Sequence, residues 1–158
     1  MLRRLNLHSF SLVAFAVLIY LGMMSLSSHC FAQTLVDTVK VGHRAVIVFS
    51  YSQQEVDSLE RDANSGIDEV LSDFFYYLGE AEPLLDSNAI EIRTSTAKTI
   101  IVLQKGRSKP FAYDRSNADP ELGVIFLDSA QRPKVLTGIL GDHEWRDAIT
   151  KYFSLKPR

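Results

Sequence analysis

The chain has 158 residues, 17 Lys+Arg against 19 Asp+Glu, four histidines and one cysteine. A net charge of −2 lacks the basic footprint of a general nucleic-acid binder. Residues 1–32 read as a secretory leader: Arg3 and Arg4, an apolar run from Phe10 to Met24, then Cys30-Phe31-Ala32 before Gln33. Two rival readings exist. An uncleaved membrane anchor would need about 20 apolar residues, and this run is shorter. A lipid on Cys30 would need a Leu, a small residue and a Gly or Ala ahead of it, where Ser27-Ser28-His29 stands. Cleavage after Ala32 leaves 126 residues without a thiol, destined for the periplasm or the medium, with no stable membrane insertion. Such a product forms no disulfide and has no cysteine nucleophile. Its size suits a single domain that buries roughly two thirds of its unfolded surface without cross-links.

The mature balance is −4, unevenly spread. Residues 33–92 hold 12 acids and three bases, whereas 93–158 hold seven acids and 12 bases. A dipole of this kind either orients a partner or sets an acidic helix face beside a basic sheet edge.

In chain order, Thr34 to Val41 suits a short edge strand, followed by a Gly42-His43 turn. The continuous run Ala45-Val46-Ile47-Val48-Phe49 predicts a central strand buried on both faces. Ser52-Gln53-Gln54-Glu55 matches a capping box and predicts a short helix to about Ala63, with Val56 and Leu59 inward. Ser65 can cap a second helix over 67–81, where Ile67, Val70, Leu71, Phe74, Leu78 and Ala81 form one apolar stripe. Pro83 predicts a kink or fresh turn, and Asn88 a left-handed terminator.

The second half reads as sheet. Ile90 to Ile92 and Thr99 to Leu103 are strands, and Lys105-Gly106-Arg107-Ser108 is a turn with Phe111 to Tyr113 returning antiparallel. Gly123 to Leu127 and Pro133 to Leu140 form a hairpin, and Asp142 caps a last helix carrying Trp145, Ile149, Tyr152 and Phe153. The fold class is therefore α/β or α+β: a single small domain over 33–158, with a mixed β-sheet flanked by helices. A parallel β-α-β crossover comes first.

A β-α-β unit followed by a hairpin and a C-terminal helix resembles the thioredoxin-like fold. Gly123 to Asp128, on through Trp145, is similar to that family's last hairpin and helix. The departures are specific. Ser50-Tyr51-Ser52-Gln53-Gln54 stands where the family carries Cys-x-x-Cys, and Pro120 precedes Val124 by several residues rather than directly. No middle helix is readable in Gln104 to Leu122. The resemblance therefore implies a scaffold without the family's redox activity.

Candidate chemistry is sparse. His43 and His143 survive cleavage, and Asp142-His143-Glu144 has neither the spacing of a metal site nor a second histidine at i+4. No Gly-x-Ser-x-Gly, calcium loop or phosphate-binding glycine loop is present, and no cofactor or metal is expected. The basic stretch Arg93, Lys98, Lys105, Arg107, Lys109 and Arg115 surrounds Phe111 and Tyr113. It either docks a protein or anionic surface ligand, with Lys105, Arg107, Lys109 and Arg115 as the candidate binding residues, or guards an exposed sheet edge. The resulting expectation is an exported, non-catalytic binding or accessory domain. The alternative is an extracytoplasmic enzyme using His43 or His143 as acid or base.

Overall fold

A computed structural model describes residues 36–61 and 66–156. The predicted leader 1–32 and the Ser65 cap lie outside the described residues. The elements in order are β1 (Val36–Val41), β2 (Arg44–Phe49), α1 (Gln53–Leu59), α2 (Ile67–Asp86), β3 (Glu91–Ser95), β4 (Thr99–Gln104) and β5 (Phe111–Asp114). A short 3-10 turn (Arg115–Asn117), β6 (Gly123–Asp128), β7 (Lys134–Thr137) and α3 (Asp142–Phe153) follow. The α+β class is as the sequence predicts.

The strands divide into two sheets rather than one. The first has the order β3-β2-β6-β7, with β3 parallel to β2 and the β6–β7 hairpin antiparallel to it. The second has the order β1-β4-β5, with β1 parallel to β4 and β5 returning antiparallel. The four-stranded sheet is the middle layer. Its Val46, Val48, Val124 and Phe126 face the helices, meeting Phe74, Ala81 and Leu85 of α2 and Trp145 and Phe153 of α3. On the reverse face, Ala45, Ile47, Ile125 and Leu127 meet Val39, Val41, Ile100 and Val102 of the smaller sheet.

This layering explains the sequence patterns. A strand covered on both sides cannot alternate apolar with polar, and every residue of β6 is buried. The smaller sheet is covered on one side only: Ile100 and Val102 are buried while Leu103 is exposed. Separation of the apolar face from the open face is what places Thr99–Gln104 in an outer layer.

Helix ends follow capping chemistry. Ser52 accepts from the Glu55 amide at 3.4 Å, and the Glu55 carboxylate accepts from the Ser52 amide at 2.7 Å, closing the predicted capping box. Of the two residues expected inward on α1, Val56 is buried and Leu59 is exposed, because α1 ends after two turns. α2 continues through Pro83 to Asp86, so the residues after Pro83 extend the same helix rather than start a fresh turn, one of the two expectations there. Packing of Ala81 and Leu85 into the helix-side core outweighs the amide that proline lacks. The left-handed residue after α2 is Ala89 rather than Asn88. Asn88 instead donates its side-chain amide to the Leu84 carbonyl at 2.8 Å. At α3 the cap is Gly141, whose amide donates to Glu144 at 2.9 Å, while Asp142 pairs with Arg146 at 2.6 Å.

Gly79 lies within α2, and a Cβ added there meets no atom within 4 Å. Gly79→Ala is therefore expected to stabilise the fold by about 0.5–1 kcal/mol, through helix propensity and a less free unfolded chain. A rise in the thermal midpoint checks it; an unchanged or lower midpoint contradicts the open space.

Candidate functional site

Strand directions gather three turns at one end of the sandwich. β1 and β4 run parallel and finish together, pairing Val41 with Gln104. β2 begins at that end, where Arg44 pairs with Asp128, the last residue of β6. The links Gly42-His43, 105–110 and 129–133 are thus neighbours. The His43 carbonyl ties them, accepting from the Gln104 side-chain amide at 2.7 Å and from the Ser129 amide at 3.0 Å. Gly106 has φ +87°, and a Cβ there would lie 3.5 Å from both the His43 Nδ1 and the Ser129 Cβ. The 105–108 turn therefore closes against the other two.

Two arginines are anchored at this end by Asp128. Arg44 Nε donates to the Asp128 carboxylate at 3.2 Å, and its Nη2 to the Phe153 carbonyl at 3.4 Å. Arg107 Nη2 donates to the Asp128 carbonyl at 3.0 Å. The Asp128 carboxylate is fixed in turn by the Ala130 amide at 2.9 Å. Around them His43, Lys105, Lys109 and Arg132 are exposed, with no carboxylate partner among the described residues. Glu91 also reaches this end. The Gly42 amide at 2.7 Å and then Arg93 hold its carboxyl below the usual carboxylate range, although burial opposes them.

Of the residues singled out from sequence, Lys105, Arg107 and Lys109 lie in one turn on this basic end. Arg115 does not, which corrects its place in the predicted binding set. Its side chain is 0% exposed. The guanidinium donates to the Ser50 carbonyl, pairs with Glu55 at 2.6 Å, approaches Glu121 at 3.5 Å and lies 5.6 Å from the Tyr51 ring centre. Lys98 pairs with the same two glutamates at 3.0 and 2.5 Å, and Glu121 holds it charged above the ordinary lysine range. Arg115 starts the 3-10 turn beneath the loop that follows β2, so both glutamates enclose a charge that looked like a surface one. Arg93 is likewise spent on Glu91.

The histidines do not assemble with other reactive groups. Both are exposed, and neither imidazole makes a hydrogen bond or ion pair with another described residue. Ser129 is near His43 through Gly106, yet no hydrogen bond joins the two side chains. No group of three or more His, Cys, Asp and Glu is placed to hold a metal among the described residues. What the geometry offers is electrostatic attraction and hydrogen-bond donation to an anion.

Sequence reasoning missed Arg44 and the approach of His43 to the 105–108 turn. Both depend on the β1–β4 and β2–β6 pairings. The only sequence signal was the short Gly42-His43 link, which returns β2 to the end where β1 finishes.

Compared with family models, curated proteins and solved structures, the chain gave no match.

Proposed function

We propose that this chain is an exported, non-catalytic binding domain that takes an anionic partner, the acidic face of a protein or an anionic surface, on its basic end. The observation that carries this reading is the set of exposed, unpaired Lys105, Lys109 and Arg132 around the anchored Arg44 and Arg107. Glu91 and Asp128 at this end are already paired with Arg93 and Arg44, so the unpaired exposed charges there are basic, and on a net acidic protein they form a local field that steers an anion. Arginines held by Asp128 lose less side-chain entropy on binding than free ones, which favours Arg44 and Arg107 as the fixed part of the site. Export rests on Arg3, Arg4 and the apolar run ahead of Ala32. No helix among the described residues is long and apolar enough to cross a membrane.

The scaffold reading is thioredoxin-like without thiols. Its support is the strand order β3-β2-β6-β7, with α2 linking the parallel pair and α3 following the hairpin. In that reading Ser50-Tyr51-Ser52 stands where the family carries its cysteine pair, and β4 with β5 stands in for its middle helix. Such a scaffold leaves the protein its surface to work with.

The test uses immobilised polyglutamate as an acidic polypeptide and, in a second arm, vesicles of anionic phospholipid. Lys105→Glu with Lys109→Glu alters only exposed side chains that have no partner, so folding is unaffected. We expect binding to one of the two probes to weaken by at least about tenfold in the double variant, since each rim charge is worth about 0.2–1 kcal/mol and is here reversed rather than removed. Equal binding by both proteins would dispose of the basic site.

A further inference from the structure

β3 is an edge strand: among the described residues it pairs with β2 on one side and with no strand on the other. Its helix-side face opens into a cleft of about 190 Å³ between the strand and α2, lined by Val48, Phe75, Leu78, Leu85, Ile92 and Thr94. Phe75, although at the cleft, is 47% exposed. An edge with one apolar face and a half-open aromatic beside it is a template for strand pairing unless its own charges repel a partner. Here the charges select one. Glu91 and Arg93 share the other face of the strand, with Ile92 between them.

We propose that the protein pairs with a second copy of itself through the outer edge of β3, in an antiparallel register centred on Ile92. That register alone sets Glu91 opposite Arg93 of the other copy twice over, closing an alternating quartet with the Glu91–Arg93 pair already present at 2.6 Å in each chain. Shifting the centre to Arg93 would place the two arginines against each other, which disfavours it. On the helix side the two Ile92 residues meet at the axis, and Phe75 of each α2 leans over the partner strand, covering the cleft. Strand extension supplies the main-chain hydrogen bonds, and the cleft supplies the apolar contact. This pairing does not rest on the anion reading, since Lys105, Lys109 and Arg132 take no part in it.

Sedimentation equilibrium of the purified protein between about 1 and 200 µM, the range of ordinary reversible dimers, is the test. A mass rising to twice that of one chain is expected. Arg93→Glu turns both cross-strand pairs repulsive and is expected to weaken association by at least about thirtyfold. The exchange Glu91→Arg with Arg93→Glu restores the alternation and is expected to bring association back to within about threefold. Gly79→Lys provides a second route that spares β3: its side chain has open space at the cleft and Glu82 one turn on, so the fold persists while the partner's Phe75 is excluded. A monomer throughout the range overturns the proposal. So does a dimer indifferent to these variants, or one that the charge exchange fails to rescue while Gly79→Lys leaves it intact.

Discussion

Replacing Glu55 by alanine is expected to cost about 3–5 kcal/mol of stability at neutral pH, the usual result of stranding a desolvated charge. Arg115 is fully buried, and Glu55 is its closest carboxylate at 2.6 Å. Without it the guanidinium keeps the Ser50 carbonyl and a longer contact to Glu121 at 3.5 Å, too little to offset the loss of water. Chemical denaturation of Glu55→Ala reads this directly; a change under about 1 kcal/mol would show that the cluster is solvated after all. Replacing the pair together, Glu55→Gln with Arg115→Met, is expected to cost less than the alanine variant alone, because no buried charge is then left over.

The same cluster sets an acid limit. Burial alone would push the Glu55 carboxyl up, but Arg115, the Ser52 amide, Lys98 and the Ser52 hydroxyl together lower it from 4.5 to about 2. A carboxyl depressed by folding binds its proton more readily in the unfolded chain. Its contribution is therefore complete above the unfolded value and is lost as pH falls from about 4.5 towards 2. The amount at stake is about 3 kcal/mol. Stability measured across that window should fall steeply in the native protein and much less in Glu55→Gln, which begins lower but has no proton to take up there.

Gly123→Ala should be nearly as damaging, for a steric reason. Gly123 opens β6 opposite Thr137 of β7, and a Cβ there would lie 2.2 Å from the Leu136 carbonyl oxygen and 2.9 Å from both Phe49 Cζ and Thr137 Cα. Two of these are backbone atoms of a paired strand and cannot yield without breaking the hairpin. Overpacking of this kind costs about 3 kcal/mol or more. The contrast with Gly79→Ala isolates the cause. One substitution, made at two glycines, should change the denaturation midpoint in opposite directions. If both moved it alike, neither the crowding at Gly123 nor the open space at Gly79 would be right.

How far the sequence disclosed this structure depends on whether the information was local. The capping box Ser52–Glu55 involves residues three apart and was legible in full. The stripe of α2 and the apolar runs of β2 and β6 were legible because burial on one helix face or two sheet faces leaves a local period. The extent of α2 beyond Ala81 was not legible, because packing of Leu85 carries the helix past Pro83 where propensity favours a fresh turn. The division into two sheets was invisible, since pairing β1 with β4 joins residues some sixty positions apart and nothing in either strand names its partner. The site shows the same split. Lys105, Arg107 and Lys109 belong to one turn and could be read together, whereas Arg44 joins them only through β2–β6 pairing. Arg115 looked like its neighbours in sequence and differs only in being covered by α1 and the 119–121 loop. Pairing with Glu55 and Glu121 across some sixty and six positions decides that a cation is structural.

The proposed function stands on the unpaired cations Lys105, Lys109 and Arg132 at one end of the sandwich. Its most direct measurement is the affinity of the purified protein for polyglutamate and for anionic vesicles as salt is raised from about 50 to 500 mM, beside the Lys105→Glu/Lys109→Glu variant. Binding to one probe that weakens continuously with salt and is at least about tenfold weaker in the variant is the predicted result. Failure of both probes at the lowest salt, or binding that the two charge reversals leave unchanged, would contradict it.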